Sequence, residues 1–119
     1  MNELEKGALK GVKVLDFSTL LPGPLASLFL AETGAEVIKI ERPGTGDEMR
    51  LSHPKWNDES ASFSMLNRGK KSLCLDLKDQ SSKDILKPLI ETADIIIEQF
   101  RPGVMKRLGL DYESIKKIN

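Results

Sequence analysis

The stretch GVKVLDFSTLLPGPLASLFLAETGAEVIKIERPG, from Gly11 to Gly44, decides the fold of this chain. It begins with a short apolar run through Phe17, which is typical of a strand buried on both faces. After a turn, Pro24 can take the first position of a helix, since proline is tolerated there. A second apolar run through Ile40 predicts a second strand. This strand, helix and strand form a βαβ unit, which predicts a parallel sheet covered by helices.

The rest of the chain continues the alternation of strands and helices. Residues 45–59 show no sustained period, so we expect an irregular segment that ends in a short helix. The alternation in SLCLDL, residues 72–77, predicts a third strand, and a helix capped by Ser81 or Ser82 follows it. The run DIIIE, residues 94–98, is predicted to be a fourth, central strand. The predicted fold class is therefore α/β, a Rossmann-like parallel sheet flanked by helices.

Composition places the chain among ordinary globular domains. It has 119 residues, with 18 Lys and Arg against 18 Asp and Glu, and 39% of the residues are hydrophobic. The balanced charge predicts no nucleic-acid partner, and no apolar run approaches the roughly 20 residues that span a bilayer, so no membrane partner is expected. A single cysteine, Cys74, and the lack of a signal-peptide pattern make the cytoplasm the expected location.

Cations at the ends of the predicted strands mark a candidate ligand site. Ligands of open α/β sheets bind beyond the carboxyl ends of the strands, and Arg42, Lys78 and Arg107 follow three of them. These side chains are expected to converge on one edge. A guanidinium pairs with phosphate through two nitrogens and stacks on a base, so Arg42 is a candidate contact for a phosphorylated adenosine. Other nearby lysines are expected to be solvated surface charges: Lys70, Lys71 and Lys106.

A nicotinamide dinucleotide is disfavoured as the ligand. Its fingerprint, G-x-G-x-x-G, uses glycines to let the backbone approach a pyrophosphate, whereas this turn has only Gly23 between two prolines. Glu41 stands near the spacing at which an acidic residue binds the ribose, but Arg42 follows it and the glycines are missing.

Six ordered blocks of the sequence resemble the amino-terminal part of family III CoA-transferases. They are LKGVKVLDFS, LLPGPLA, GAEVIKIERPGTGD, NRGKKSLCLDLK, ADIIIEQFRPG and RLGLDY, and the resemblance covers Leu9 to Asn119. The family, also called the bile-acid-inducible F type, includes carnitine CoA-transferase, formyl-CoA transferase and α-methylacyl-CoA racemase. The resemblance implies coenzyme A or its thioester as the bound substrate, a carboxylic acid as acceptor in the full enzyme, a homodimer and no metal.

Carried over position by position, the resemblance implies a set of coenzyme A contacts. Leu20 would touch the ligand at the first turn and Arg42 would hold the adenosine phosphate region. Gln99 stands where the family usually has asparagine, and Leu21 stands where some transferases have a glutamine near the thioester, a form closer to racemase-like members. The full set of expected contacts is Leu20, Arg42, Leu75, Lys78, Gln99, Phe100 and Arg107.

No catalytic residue is assigned in this chain. The resemblance implies an aspartate nucleophile in the transferases, or a histidine and an aspartate in the racemases, in parts of the family beyond residue 119. Asp16 is expected to accept hydrogen bonds from the turn, and His53 is expected at the surface. Residues 1–119 are therefore expected to be a partial CoA-binding Rossmann-like domain, inactive alone, without the remainder of the large domain and the small domain. A CoA-transferase, a racemase-like enzyme and a non-catalytic CoA-binding or interaction module remain open.

Overall fold

A computed structural model of the chain describes residues 6–119. The strands are β1 (Lys13–Asp16), β2 (Glu36–Glu41), β3 (Lys55–Trp56), β4 (Glu59–Ser60), β5 (Lys71–Cys74) and β6 (Ile95–Ile97). The α-helices are α1 (Pro22–Glu32), α2 (Ala61–Asn67), α3 (Gln80–Thr92), α4 (Val104–Leu108) and α5 (Tyr112–Lys116), and a 3-10 helix covers Glu48–Leu51. In this described part, no helix has the length and hydropathy that crossing a bilayer requires.

Four parallel strands form the main sheet, in the order β5-β2-β1-β6. When only the strands of this sheet are numbered along the chain, the order is 3-2-1-4, which matches the first four strands of a Rossmann sheet. Val14 of β1 lies opposite Val37 of β2 on one side and Ile95 of β6 on the other. The predicted α/β fold class is therefore confirmed, and the strand order reverses at β1, where folds of this kind bind ligands.

Both faces of the sheet are covered by apolar contacts. Val14 and Leu15 are neighbours on β1 and point to opposite faces, because side chains alternate along a strand. Val14 packs in a cluster with Ala31 of α1. Leu15 packs in a larger cluster with Leu86 and Ile90 of α3, and with residues of the α4 and α5 region. The near-continuous apolar run of β1 follows from this burial on two sides.

Three local predictions differ from the structure. Strand β6 was predicted to be central, but within the described residues it lies at the edge of the sheet, and its isoleucines are only partly buried. The segment 45–59 contains the 3-10 helix and a short antiparallel hairpin, β3 with β4. Helix α3 begins at Gln80 after Asp79, so Ser82 lies inside the helix and is buried instead of capping it.

The turn between β1 and α1 is closely packed. Leu20 has a φ of 67°, in the left-handed region that costs a residue with a Cβ roughly 1–2 kcal/mol. A Cβ added at Gly23 would overlap the Cβ of Ser18 and lie 2.7 Å from Oε1 of Gln99. The Gly23 N–H donates to the same Gln99 oxygen at 2.9 Å. The glycine between the two prolines is therefore required by this close approach.

Replacing Gly23 with alanine is expected to destabilise the fold by about 2–3 kcal/mol, because the new Cβ overpacks a rigid contact. Helix propensity alone would favour alanine in α1 by about 1 kcal/mol, so the expected sign is opposite to that of an unconstrained helical site. The measurement is urea unfolding at equilibrium. Gly69→Ala is the control, since its φ is 79° and no atom lies within 4 Å of the added Cβ. Gly69→Ala should be destabilised only by the backbone strain of alanine at a positive φ. An unchanged free energy of unfolding for Gly23→Ala would contradict the overpacking expected at this contact.

Candidate functional site

The carboxyl ends of the sheet strands open into a groove of about 410 Å³. This volume lies within the range of small-molecule sites, about 300–1,000 Å³. Each of the four strands of the main sheet contributes residues at or just beyond its end. Residues that line the groove include Phe17, Thr19, Arg42, Leu75, Lys78 and Phe100.

The structure brings four of the seven predicted contact residues into this groove: Arg42, Leu75, Lys78 and Phe100. Leu20 does not line it, but follows Thr19, which does, and is 42% exposed. Arg107 lies on α4, whose Val104 and Leu108 line the groove, while its own guanidinium lies beside Gly103. Of the three cations expected to converge, Arg42 and Lys78 therefore line the same groove and Arg107 does not. As coenzyme A contacts, all seven residues stay predictions.

Arg42 is held at the groove by weak contacts. Its Nη2 donates to Oε1 of Glu48 at 3.0 Å and its Nε donates to Oγ1 of Thr45 at 3.1 Å. More than half of the surface of both charged side chains is exposed. An exposed ion pair of this kind contributes about 0–1 kcal/mol, so an anionic ligand can take the place of Glu48 at low cost.

Gln99 has a structural role in the turn. Its Oε1 accepts a hydrogen bond from the Gly23 N–H at 2.9 Å, and its Nε2 donates to the Thr19 carbonyl. One amide therefore joins the last residues before the turn to the start of α1. The oxygen and the nitrogen of the amide are both hydrogen-bonded within the protein. Gln99 therefore supports Thr19, which lines the groove.

A buried ion pair lies behind the groove, and the sequence analysis missed it. The side chains of Lys39 and Asp47 are 1% and 0% exposed, and Nζ lies 2.8 Å from Oδ2. Nζ of Lys39 also donates to the Ser18 carbonyl at 2.9 Å. The signal was present in the sequence, since a lysine inside the apolar run of β2 needs a counter-charge when the strand is buried on both faces.

Asp16 fills its expected role as an acceptor for the turn. Its Oδ1 accepts from the Ser18 backbone N–H at 2.8 Å and from the Ser18 hydroxyl, and its Oδ2 accepts from the Ser27 hydroxyl. The carboxylate is completely buried. It ties the end of β1 to the first turns of α1.

The prediction of a solvated Lys70 is wrong. Its side chain is 2% exposed, with Nζ donating to the Pro24 carbonyl at 2.8 Å and to Oδ1 of Asn67 at 2.9 Å. Burial lowers the pKa of the Lys70 ammonium to about 8, although the charge of Asp16, 3.6 Å away, partly offsets this effect. Lys71, by contrast, is 69% exposed, as expected.

Glu41 is buried and fully engaged. Nε and Nη2 of Arg50 each donate to one of its oxygens at 2.7 Å, and the Ser72 hydroxyl and the Asp47 N–H also donate to it. Burial alone would raise the pKa of Glu41, but the hydrogen bonds from Arg50, Ser72 and Asp47 outweigh it and lower the pKa to about 2. These contacts leave the carboxylate no free oxygen for a ribose, which further disfavours a nicotinamide dinucleotide.

A second concavity, of about 430 Å³, lies beside β6. Three carboxylates are among its lining residues: Asp94, Glu98 and Asp111. No Lys or Arg is among its described lining residues to offset their negative charge, so this concavity is poorly suited to a phosphorylated ligand. The groove with Arg42 and Lys78 is the better candidate site.

The groove is equipped for binding an anion more than for nucleophilic attack. The buried carboxylates of Asp16, Glu41 and Asp47 each accept hydrogen bonds or pair with a cation. Glu48 pairs with Arg42, and Oδ1 of Asp76 accepts the Lys78 N–H at 3.0 Å. Across residues 6–119, no group of three or more His, Cys, Asp and Glu side chains is placed to hold a metal ion.

Comparison with known proteins gives consistent matches. The sequence matches the family described as CoA-transferase family III over residues 9–119. It is 46% identical over 114 residues to an acetyl-CoA:oxalate CoA-transferase from Acetobacter aceti, covering 96% of this chain and 29% of that protein. It is 44% identical over 111 residues to a succinyl-CoA:glutarate CoA-transferase from Mus musculus, covering 92% and 26%.

Solved structures agree with the sequence matches. A hypothetical protein from Mycobacterium tuberculosis, Rv3272, superimposes with a TM-score of 0.87 at 42% identity, covering 95% of this chain and 31% of that one. A CAIB/BAIF family protein from Brucella suis superimposes with a TM-score of 0.88 at 36% identity, with the same coverage of 95% and 31%. The chain therefore spans less than a third of the length of these relatives.

The Glu41 contacts predict an acid-sensitive stability. The folded pKa is about 2 against an ordinary 4.5, so the unfolded chain takes up the proton first as the pH falls. The stabilisation, about 3 kcal/mol, is present above pH 4.5 and is lost as the pH falls toward 2. Urea unfolding gives the free energy of unfolding of wild type and of Glu41→Gln. The difference between the two should narrow between roughly pH 5 and pH 3, as this linkage requires. Glu36→Gln, which removes the acidic partner of an exposed ion pair, is the control and should show little pH-dependent difference from wild type. A difference for Glu41→Gln that does not change with pH would contradict the lowered pKa of Glu41.

Proposed function

Because this chain belongs to CoA-transferase family III, we propose that its groove binds coenzyme A within an enzyme that transfers CoA from an acyl-CoA to a carboxylic acid. One observation carries the proposal: cationic and apolar side chains from separate strand ends line a single groove. The relatives named above include CoA-transferases acting on oxalate and on glutarate. They support the reaction class.

The groove matches the mixed chemistry of coenzyme A. Arg42 and Lys78 supply positive charge for its phosphates, and the guanidinium fork suits phosphate oxygens. Leu75 and Phe100 supply apolar surface for the adenine ring and the pantetheine arm. We place the thioester end toward the turn that carries Leu20.

The attacking carboxylate is proposed to come from outside the residues of this chain. In a transferase of this kind a carboxylate attacks the acyl-CoA carbonyl and the thiolate of CoA leaves, which gives a mixed anhydride. The thiolate then attacks the enzyme's own acyl carbon, which releases the first acid and leaves an enzyme–CoA thioester. The acceptor carboxylate attacks this thioester, and the same two steps in reverse form the acceptor's CoA ester and free the enzyme carboxylate. Asp16, Glu41 and Asp47 are held in buried hydrogen bonds or ion pairs, which supports a structural role for these three carboxylates and a nucleophile elsewhere. The homodimer implied by the resemblance is part of the same proposal.

A racemase-like activity is the second candidate, favoured by Leu21 in the turn, where some transferases of the family have glutamine. The two reactions differ in what they need. A racemase exchanges the proton next to the thioester carbonyl with solvent and requires no acceptor acid, whereas a transferase requires the acceptor. Incubation of the complete enzyme with acyl-CoA in D₂O, with and without a dicarboxylate, separates them. A non-catalytic module would bind CoA and catalyse neither.

Coenzyme A is expected to bind the chain in a calorimetric titration, and Arg42→Ala or Lys78→Ala should weaken binding by about 1–3 kcal/mol, because each removes a charge-assisted phosphate contact. Lys71→Ala is the matched control, since it removes one exposed positive charge away from the groove. NAD⁺ should bind much more weakly than CoA. Equal losses for Lys71→Ala and Arg42→Ala would assign the effect to net charge and contradict the site.

The chain alone is expected to be inactive. With acetyl-CoA and labelled oxalate, no labelled oxalyl-CoA should form, because the described carboxylates near the groove are engaged in hydrogen bonds and ion pairs. Chromatography of the CoA esters gives the measurement. Turnover that Asp16→Asn abolishes would overturn the proposal that the nucleophile lies elsewhere.

A further inference from the structure

We propose that Asp47 is a positioning residue that holds the two walls of the groove together; this inference rests on the proposed function. One wall, the turn wall, is residues 19–21 after β1. The other, the loop wall, is residues 46–49 after β2. Thr19 lines the groove from the first wall, and Gly46 and Glu48 line it from the second. Asp47 belongs to the loop wall, and its side chain contacts the turn wall behind the groove.

A single oxygen atom makes the connection. Oδ1 of Asp47 accepts a hydrogen bond from the Leu20 N–H at 3.1 Å and another from the Met49 N–H at 2.9 Å. Leu20 is adjacent to Thr19, and Met49 is adjacent to Glu48. The distance between the two walls therefore depends on a side chain that does not line the groove.

Asp47 is itself fixed on two further sides. Its backbone N–H donates to Oε1 of Glu41 at 2.9 Å. Its Oδ2 lies 2.8 Å from Nζ of Lys39, which in turn donates to the Ser18 carbonyl. A buried ion pair of this kind adds little net stability over an apolar pair of the same size, so the role assigned to it here is to define geometry.

The backbone of Leu20 supports this role. Its φ of 67° is unfavourable for leucine, and such a conformation persists only where surrounding contacts determine it. The hydrogen bond from its N–H to Asp47 is such a contact. Without this acceptor, the turn wall is expected to relax toward an ordinary backbone conformation, which moves Thr19 and the Leu20 side chain.

The decisive comparison uses two double variants that both remove the buried charges. Lys39→Met with Asp47→Asn keeps an oxygen that can accept from Leu20 and Met49. Lys39→Met with Asp47→Ala lacks this oxygen. Neither leaves an unpaired buried charge, so both should fold. Leu86→Ala, in the core cluster of α3, is the control for a general loss of stability.

Two measurements are made on each variant: amide hydrogen exchange of Leu20 relative to the slowest core amides, and calorimetric titration with coenzyme A. The alanine variant should lose the relative protection of Leu20 and bind CoA about 10- to 100-fold more weakly, as expected when a supporting residue is removed. The asparagine variant and Leu86→Ala should keep both properties near the wild-type values. If Asp47 only stabilised the fold, Leu86→Ala and the alanine variant would show the same relative exchange of the Leu20 amide and the same affinity for CoA.

The outcomes separate this inference from the proposed function. If wild type binds CoA and the alanine and asparagine variants bind equally well, the positioning role is wrong and the proposed function stands. If wild type does not bind CoA, the proposed function fails and this inference fails with it. A loss of Leu20 protection and of CoA affinity confined to the alanine variant supports both.

Discussion

A lysine in the middle of a buried parallel strand imposes a constraint on everything around it. Lys39 stands between Ile38 and Ile40 in β2 and is 1% exposed, so an unpaired ammonium there would cost several kcal/mol. Asp47 meets it at 2.8 Å, and the Ser18 carbonyl accepts one of its protons. To provide these partners, the segment after β2 must fold back over the sheet edge and the turn after β1 must approach it. These two segments form part of the groove lining, which the ends of β5 and β6 and the helix α4 complete.

Charges in this chain fall into two groups with different roles. Buried cations such as Lys39 and Lys70 pair with buried carboxylates and hold segments together. Arg42 and Lys78 lie at the groove, and Glu48, which pairs with Arg42, is exposed and easily displaced. Glu41, Glu48 and Asp76 also line the groove, but Glu41 is paired with Arg50, Glu48 with Arg42, and Asp76 accepts the Lys78 backbone N–H, so the cations of the groove are accompanied by carboxylates that already have partners.

The proposed binding role of the groove residues rests on the family assignment together with the chemistry of the groove. The match extends over residues 9–119 and includes every strand of the main sheet. This part of the structure offers shape, apolar surface and positive charge at the groove. Binding and orientation of a phosphorylated thioester are the tasks that such a surface can perform, and covalent chemistry needs a carboxylate that is free to attack.

From the sequence alone one can predict the βαβ order, the parallel sheet and the position of Arg42 and Lys78 at one edge, although Arg107, expected with them, does not line the groove. These features follow from local periodicity and from the rule that parallel strands end on the same side. Only the tertiary structure decided which charges are buried, which is why Lys70 was mistaken for a surface residue and Asp47 was overlooked. Local periodicity does not report which distant groups meet, and burial of a charge depends on the partner that another segment brings within 3–4 Å, about the range of an ion pair.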